Sequence, residues 1–325
     1  MDSVLLVGGA GYIGSHTAKY LAREGFLPVS YDNLSRGHRE AVKWGPLEEG
    51  DLGDTGRLVA VLEKYRPVAV IHFAAFAYVG ESMTDPGPYY HNNVTGTLSL
   101  LQAMRKTGVQ RIIFYSTCAT YGVPRGLPIR EEDPQDPVNP YGRSKLMVEE
   151  ILTDFGEAYG TESVCLRYFN AAGCDPDGEI GESHEPETHL IPLALDAAAG
   201  TRDSLKVFGT DYPTPDGTCI RDYIHVTDLA QAHFLALRHL LAGHGSARLN
   251  LGNTTGYSVK QVLETVEKVT GRSLRIEYSP RRPGDPPALV GSSEKAVAVL
   301  GWKPAFASLD AIIETAWGWH QNRLY

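Results

Sequence analysis

The chain has 325 residues, of which 42% are hydrophobic, and a formal net charge of −9. This composition is that of a folded protein with a large core, in two domains or two interleaved lobes, and it excludes a disordered chain. The negative charge argues against a nucleic-acid partner, and the sequence has no uninterrupted apolar run long enough to cross a bilayer, so we expect no membrane partner.

The first predicted unit is a strand, a glycine-rich turn and a helix. Residues 3–7 form a short apolar run, and Gly8, Gly11 and Gly14 then match the pattern G-x-x-G-x-x-G. The first glycine permits a tight turn, the second lets backbone approach a pyrophosphate, and the third lets the helix pack on the strand. The unit predicts a dinucleotide site; the alternative is a glycine turn without a ligand.

The second predicted strand, residues 28–31, ends at Asp32 and Asn33. A carboxylate at this place accepts hydrogen bonds from ribose hydroxyls and repels a 2′-phosphate, which favours NAD over NADP. Arg36 and Arg39 argue weakly for NADP, and we interpret them as solvated loop charges.

Strands and helices continue to alternate along the chain. We predict a strand over 47–50, a helix over 58–65, a buried strand over 68–72, a helix over about 88–106 and a strand over 111–115. The carboxyl ends of parallel strands face one crevice, and Asp51 is placed there to meet an adenine. The pattern predicts an α/β fold with a Rossmann-type doubly wound parallel sheet.

The helix predicted after Asn139 and Pro140 carries Tyr141 and Lys145 on one face. Asn139 is a good N-cap, Pro140 fits the first helical position, and residues four apart are neighbours on a helix. A tyrosine titrates near ~10, and a base useful near neutrality needs a pKa lower by roughly three units, or about 4 kcal/mol. Lysine alone is not expected to supply this, whereas an oxidised nicotinamide ring would add a second positive charge. The alternative is two exposed side chains on an ordinary helix.

Ser116 and Thr117 end the strand before that helix. A hydroxyl at this edge of the sheet can hold a substrate oxygen beside Tyr141. The alternative is a capping or turn residue.

The sequence changes in character after residue 170. Residues 171–192 are rich in Gly, Pro and Glu, which indicates a crossing into a smaller, loop-rich lobe of mixed α/β structure. We therefore predict a Rossmann domain over 1–170 and a second lobe over 171–325, with about 221–252 returning to the first. Three arginines of the second part are candidate phosphate ligands, with surface ion pairs as the alternative: Arg221, Arg281 and Arg282.

Cysteines and histidines give no metal-binding pattern. The chain has four scattered cysteines and no C-x-x-C pair: Cys118, Cys165, Cys174 and Cys219. This usage, and an N-terminal apolar run too short for a signal peptide, predict a cytoplasmic protein. We expect no metal, and we interpret His184 and His189 as polar loop residues.

Longer blocks of the sequence carry a more specific resemblance. These blocks are residues 8–16, 31–38, 79–82, 89–94, 141–149 and 208–225. On them, the chain resembles the UDP-glucose 4-epimerases of the extended short-chain dehydrogenase/reductase family, nearly from end to end. The Tyr-x-x-x-Lys pair and the glycine turn mark only the superfamily, whereas the blocks at 89–94 and 208–225 are far more specific.

The resemblance implies a set of site residues. It places around NAD residues Gly8, Gly11, Tyr12, Ile13, Gly14, Asp32, Asn33, Asp51, Leu52, Phe73, Ala74, Ala75, Asn92, Tyr141, Lys145 and Tyr168. It places around a UDP-sugar substrate residues Thr117, Asn170, Leu190, Phe208, Arg221, Arg282, Asp285 and Leu289. Tyr141, Lys145 and Thr117 are the implied catalytic residues, so the first domain is expected to bind NAD and the second lobe the UDP-sugar.

The implied reaction interconverts UDP-glucose and UDP-galactose by transient oxidation at C4 with tightly bound NAD. The alternatives are another NAD-dependent nucleotide-sugar enzyme, of the 4,6-dehydratase or decarboxylase type, and a non-catalytic NAD-sensing protein. Cys118 and Ala119 stand where a dehydratase needs an acid pair. Sensing relatives can lose the tyrosine and the lysine, and this chain has both.

The resemblance also bears on substrate size and assembly. At the position of Leu289 a tyrosine admits only UDP-glucose and UDP-galactose, whereas a small residue also admits N-acetylated sugars. Leucine is intermediate, so we expect partial acceptance of UDP-GlcNAc and UDP-GalNAc; the alternative is that Leu289 only packs there. In the resembled family the helix near 88–106 and the Tyr141 helix pair subunits, so we expect a homodimer.

Overall fold

A computed structural model describes residues 1–282 and 285–325 of the chain. The strands are β1 Ser3–Val7, β2 Leu27–Asp32, β3 Leu47–Glu49, β4 Ala69–His72, β5 Arg111–Thr117, β6 Glu162–Tyr168, β7 Asn170–Ala172, β8 Leu205–Phe208, β9 Ile220–Arg221, β10 Tyr223–His225, β11 Ala247–Asn250, β12 Tyr257–Ser258, β13 Ile276–Ser279 and β14 Ala288–Leu289. The helices are α1 Tyr12–Arg23, α2 Thr55–Tyr65, α3 Val79–Thr84, α4 Pro86–Tyr89, α5 Thr97–Thr107, α6 Pro140–Tyr159, α7 Leu190–Ala199, α8 Val226–Leu241, α9 Val259–Thr270, α10 Glu294–Leu300 and α11 Leu309–Gln321.

The central element is a parallel sheet of seven strands in the order β11-β6-β5-β4-β1-β2-β3. The chain builds outwards from β1 to β3, then returns to β4 and builds in the other direction. A crevice forms where the direction reverses, at the carboxyl ends of β1 and β4. The predicted fold class is confirmed.

Each face of this sheet is covered by helices. Leu6 and Ile71 point to the face where α1 and α8 pack, in a core that includes the fully buried Trp302. Leu5 and Val70 point to the opposite core, which α2, α5 and α6 cover. Successive strand residues alternate between faces, so a strand covered on both faces is buried along its whole length, and β1 is accordingly apolar over Val4–Val7.

A second, smaller core lies in the other part of the chain. Helices α7, α9 and α11 pack around it, beside the parallel pair β8 and β13. Two further small sheets have the strand orders β7-β10 and β12-β9-β14. Strand β11 joins the central sheet beside β6, and α8 packs against α1, although both follow residue 171 in sequence.

The helix expected at about 88–106 begins earlier and is not uniform. Helix α4 leads into a widened, π-type stretch over Tyr90–Gly96, and α5 continues from it. Inside that stretch the buried Asn93 donates to the Phe76 carbonyl and to the Ser144 hydroxyl, both at 3.0 Å. The irregularity thus turns a side-chain amide inwards, towards the loop after β4. Over the described ranges, no helix combines the length and apolar character that crossing a membrane requires.

Candidate active site

A cavity of about 1780 Å³ extends from the carboxyl ends of β1 and β4 to the second core. Single small-molecule sites typically enclose about 300–1,000 Å³, so this cavity has room for two ligands side by side. The predicted site residues that line it are Gly8, Gly11, Tyr12, Ile13, Gly14, Asp32, Asn33, Leu52, Phe73, Ala74, Ala75, Asn92, Thr117, Tyr141, Asn170, Leu190, Phe208, Arg221, Arg282, Asp285 and Leu289. Three others do not line it: Asp51 is exposed, and Lys145 and Tyr168 are buried.

The glycine turn is sterically closed to side chains at two positions. Gly8 has φ +86°, and a Cβ there would lie 2.5 Å from the Ala74 nitrogen. A Cβ on Gly14 would lie 2.3 Å from the Gly8 carbonyl oxygen. Gly11 precedes α1, and no side chain caps that helix. The free N–H groups at the start of α1 therefore point to the cavity, where they suit a pyrophosphate.

Asp32 stabilises the turn from the end of β2. Its carboxylate accepts hydrogen bonds from the Ala10 and Leu34 backbone nitrogens, each at 2.9 Å. Burial raises its pKa, and the backbone hydrogen bonds act in the opposite direction. Asp51, predicted to meet an adenine, is exposed and accepts a hydrogen bond from Asn33 at 2.9 Å. These side chains connect the ends of β2 and β3 on the rim of the cavity.

Tyr141 lies at the start of α6, where Asn139 accepts a hydrogen bond from the Gly142 nitrogen at 2.8 Å as the predicted N-cap. The Tyr141 side chain is 4% exposed, and its hydroxyl lies 3.1 Å from that of Tyr115. Burial raises the pKa of Tyr141 well above the usual value, the neighbouring Tyr115 raises it further, and a hydrogen bond with Thr117 opposes them. The phenol is therefore neutral in the protein alone.

Lys145 is buried beneath this tyrosine. Its ammonium donates to the Tyr115 carbonyl oxygen at 2.8 Å and lies 4.7 Å and 4.2 Å from the ring centres of Phe114 and Tyr115. Burial lowers the pKa of Lys145 to about 7. The alternative of two exposed side chains on an ordinary helix is wrong. Because the pKa of Tyr141 is raised despite this lysine, a phenolate near neutral pH needs a further positive charge.

Tyr115 lies in the site although it was not among the residues predicted from the sequence. It lines the cavity beside Tyr141, and its ring stacks on Tyr168 with centres 4.8 Å apart. The alternation of side chains along a strand could have indicated it, because Tyr115 and Thr117 are two residues apart on β5 and therefore point to the same face. Ser116 points the other way, into the protein, and donates to the buried Glu149.

The residues that were predicted to bind UDP lie at the far end of the cavity. Arg221 and Asp285 form an ion pair of 2.8 Å, and Arg282 lies 4.1 Å from the ring centre of Phe208. A guanidinium that is held in a fixed position presents its remaining donors at low entropic cost, which suits a phosphate ligand. Leu289 packs against the small apolar cluster of Cys118, Tyr121 and Ile129.

Of the remaining candidate residues in the second lobe, two lie at the cavity and one does not. Asn170 lines the cavity and donates to the Asp222 carbonyl oxygen at 2.8 Å, and Leu190 begins α7 at the cavity wall. Arg281 turns away and pairs with Asp211 at 2.7 Å, and both side chains are exposed. For Arg281, the alternative of a surface ion pair is therefore correct.

Comparisons with known proteins agree on one family. Residues 4–252 match the sequence profile of the NAD dependent epimerase/dehydratase family. The chain is 56% identical over 322 residues to a UDP-glucose 4-epimerase of Rhizobium meliloti, an alignment that covers 99% of this chain and 98% of the relative. The chain belongs to the NAD dependent epimerase/dehydratase family.

Solved structures of similar proteins extend the likeness to three dimensions. This epimerase/dehydratase family member superposes on UDP-glucose 4-epimerase from Brucella ovis in complex with NAD with a TM-score of 0.96 and 57% identity, over 98% of this chain and 99% of the other. It also superposes on the enzyme from Bifidobacterium longum in complex with NAD+ and UDP, with a TM-score of 0.93 and 37% identity, over 99% of each chain. The cofactor of the family is NAD, as the sequence analysis predicted.

A buried ion pair positions helix α6 of this epimerase/dehydratase family member. Glu149 follows Lys145 by one turn on α6, and Arg167 of β6 contacts both of its carboxylate oxygens, with distances of 2.9 Å and 2.5 Å. Arg167 and Glu149 are each 1% exposed. Ser116 donates to the same carboxylate, so Glu149 ties α6 to both β5 and β6.

Proposed function

We propose that this protein is a UDP-glucose 4-epimerase that interconverts UDP-glucose and UDP-galactose. One observation carries the proposal: a single cavity joins the glycine turn, the Tyr141 hydroxyl and the Arg221 guanidinium. A hydride acceptor, an acid-base group and a diphosphate anchor can therefore act on one substrate. The relatives named above are UDP-glucose 4-epimerases that align with this chain over nearly their whole length, and this supports the proposal.

The residues of the glycine turn fit NAD. Gly11 has no side chain towards the cavity, the start of α1 is free to bind an anion, and the Asp32 carboxylate lines the cavity at the end of β2, where it would accept hydrogen bonds from an adenosine ribose. We propose that these residues hold NAD, with Tyr12, Ile13 and Leu52 along its length. When bound, NAD supplies the hydride acceptor and a positive ring beside Tyr141.

The side chains around Tyr141 then have distinct tasks. Tyr141 takes the proton of the sugar 4-hydroxyl as a hydride leaves C4, and it returns the proton when the hydride comes back to the opposite face. Thr117 orients the 4-oxygen, and Lys145 in its protonated form adds a positive charge beside Tyr115 and so favours the phenolate of Tyr141. Arg221 and Arg282 hold the UDP part, so the 4-keto sugar can turn over without leaving the cavity.

Three further predictions belong to this proposal. We propose that residues 1–170, with about 221–252, bind NAD and that the rest of 171–325 binds the UDP-sugar. A homodimer through α5 and α6 is supported by the partly exposed Met147 on α6, and a light-scattering mass tests it. A cytoplasmic location is supported by the four cysteines, which are buried and free.

One preparation tests the activity against its alternatives. Purified protein is denatured, released NAD is measured, and the native protein is assayed for conversion of UDP-galactose to UDP-glucose. We expect NAD and conversion together. NAD without any conversion would indicate a sensing protein, and a 4-keto-6-deoxy product would indicate a dehydratase; either outcome overturns the proposal.

The substrate range depends on Leu289. We expect wild-type protein to convert UDP-GalNAc at least in part, in addition to UDP-galactose, because leucine leaves more room beside the hexose than tyrosine does. Leu289→Tyr should lower the UDP-GalNAc rate by at least about tenfold and change the UDP-galactose rate much less. The exposed Leu324 provides a matched control, as Leu324→Tyr should change neither rate. Absence of detectable UDP-GalNAc conversion by the wild type would end this hypothesis.

A further inference from the structure

Four potential metal ligands meet in the segment between β7 and α7. They are Glu182, His184, Glu187 and His189, and one ligand atom of each lies within 4.8 Å of the others. The His184 Nδ1 atom lies 3.3 Å from Glu182 and 3.4 Å from Glu187, and His189 Nδ1 lies 3.2 Å from Glu182. His189 Nδ1 is closer to Glu187, at 2.7 Å.

Three of these four separations match the edges of a metal tetrahedron better than hydrogen bonds, and the fourth, between His189 and Glu187, has the length of a hydrogen bond. Charge-assisted N–H···O bonds are usually about 2.7–2.9 Å long, and three of the four contacts are longer. Zinc bound to nitrogen and oxygen at about 2.0–2.2 Å places neighbouring ligand atoms of a tetrahedron about 3.3–3.6 Å apart. Two imidazoles and two carboxylates are also a donor set that zinc accepts, and a divalent ion balances both carboxylate charges.

The surroundings distinguish this cluster from an ordinary acidic patch. The side chains of Glu182 and Glu187 are only 8% and 14% exposed. A second group of possible ligands, Asp175, Asp177 and Glu179, surrounds the ammonium of Lys19 at 2.6–2.7 Å. There a side chain of the protein already supplies the cation.

The segment also has a defined position in the fold. Trp319 donates to the Glu182 carbonyl at 3.0 Å from the second core. From the opposite side, Arg36 donates to the Glu185 carbonyl at 2.9 Å, and Tyr78 donates to the Pro186 carbonyl at 3.1 Å. The segment thus crosses between the second core and the loops after β2 and β4, which border the cavity.

We propose that Glu182, His184, Glu187 and His189 bind a divalent transition metal of the zinc class, which fixes residues 182–189 across the cavity. Four protein ligands complete a tetrahedral shell, so the role is structural and no water is activated. The spacing E-x-H-x-x-E-x-H does not match common zinc motifs, so no metal is expected from the sequence alone. The fold, rather than a motif, brings these four side chains together.

The test uses untagged protein with its NAD retained. Metal content is measured by mass spectrometry, and protein stripped with a chelator is titrated with ZnCl₂, MnCl₂ and MgCl₂ while the melting temperature is followed. We expect about one zinc per chain, no comparable effect of magnesium, and a rise in melting temperature of at least about 3 °C when zinc is restored.

Two ligand variants and one control locate the site. His184→Ala and Glu187→Gln should each weaken zinc binding by at least about tenfold, since even outer-shell changes cost that much. Asp177→Asn, which alters the Lys19 cluster, should leave zinc binding unchanged. The proposal is overturned if stripped wild-type protein shows no zinc binding at micromolar metal, or if both ligand variants bind zinc as the wild type does; the four residues would then form a hydrogen-bonded ion cluster.

Discussion

Replacing Tyr141 with phenylalanine is expected to lower the rate of UDP-galactose conversion by about 10²- to 10⁴-fold, because the group that moves the 4-hydroxyl proton is lost. The ring stays and only the hydroxyl is removed, so folding and the NAD content should not change. The measurement is the steady-state rate at saturating UDP-galactose, together with the NAD released from denatured protein.

Tyr212 offers a matched control for this experiment. It is also 4% exposed, its hydroxyl has no hydrogen-bond partner in the described part of the chain, and it does not line the cavity. Tyr212→Phe should therefore keep the wild-type rate. A Tyr141→Phe protein with a near-normal rate would show that another group moves the proton, and Tyr115, 3.1 Å away, would be the first candidate.

Replacing Arg167 with methionine is expected to lower the free energy of unfolding by about 3–5 kcal/mol. The substitution leaves the Glu149 carboxylate buried, at 1% exposure, without the guanidinium that contacts both of its oxygens. Urea unfolding, followed by circular dichroism, measures the change. Since Glu149 lies on α6 with Tyr141 and Lys145, we also expect a lower catalytic rate in the protein that remains folded.

A second variant separates the buried charge from the loss of packing. Adding Glu149→Gln to Arg167→Met removes the uncompensated charge and should recover a substantial part of the lost stability. The exposed pair Lys260–Glu264, with atoms 3.9 Å apart, is the control, and Lys260→Met should unfold as the wild type does. If Arg167→Met were equally stable, the pair would not hold α6 against the sheet.

Local sequence patterns were sufficient to predict the first strand, the glycine turn and the helices that border the site. The apolar run of residues 3–7 and the three glycines after it predicted β1, the turn and α1; in the structure Gly8 has φ +86°, and a Cβ on Gly14 would collide with the Gly8 carbonyl oxygen. Asn139 and Pro140 predicted the start of α6 for the same kind of reason. In each case the structure depends on an interaction between residues close in sequence or on the steric limits of the backbone. Such local interactions can be predicted from the order of residue types.

Contacts between distant residues decided the rest. Sequence spacing placed Lys145 near Tyr141, but only packing buried the lysine and directed its ammonium to the Tyr115 carbonyl, which lies 30 residues away. Packing also joined Arg221 to Asp285, 64 residues apart, and set Tyr115 beside Tyr141. The amino-acid sequence by itself thus determined the first five strands of the central sheet, the glycine turn, the placement of Tyr141 and Lys145 on one helix, and the family. The tertiary structure decided which side chains meet, because burial and pairing depend on neighbours that no local pattern contains.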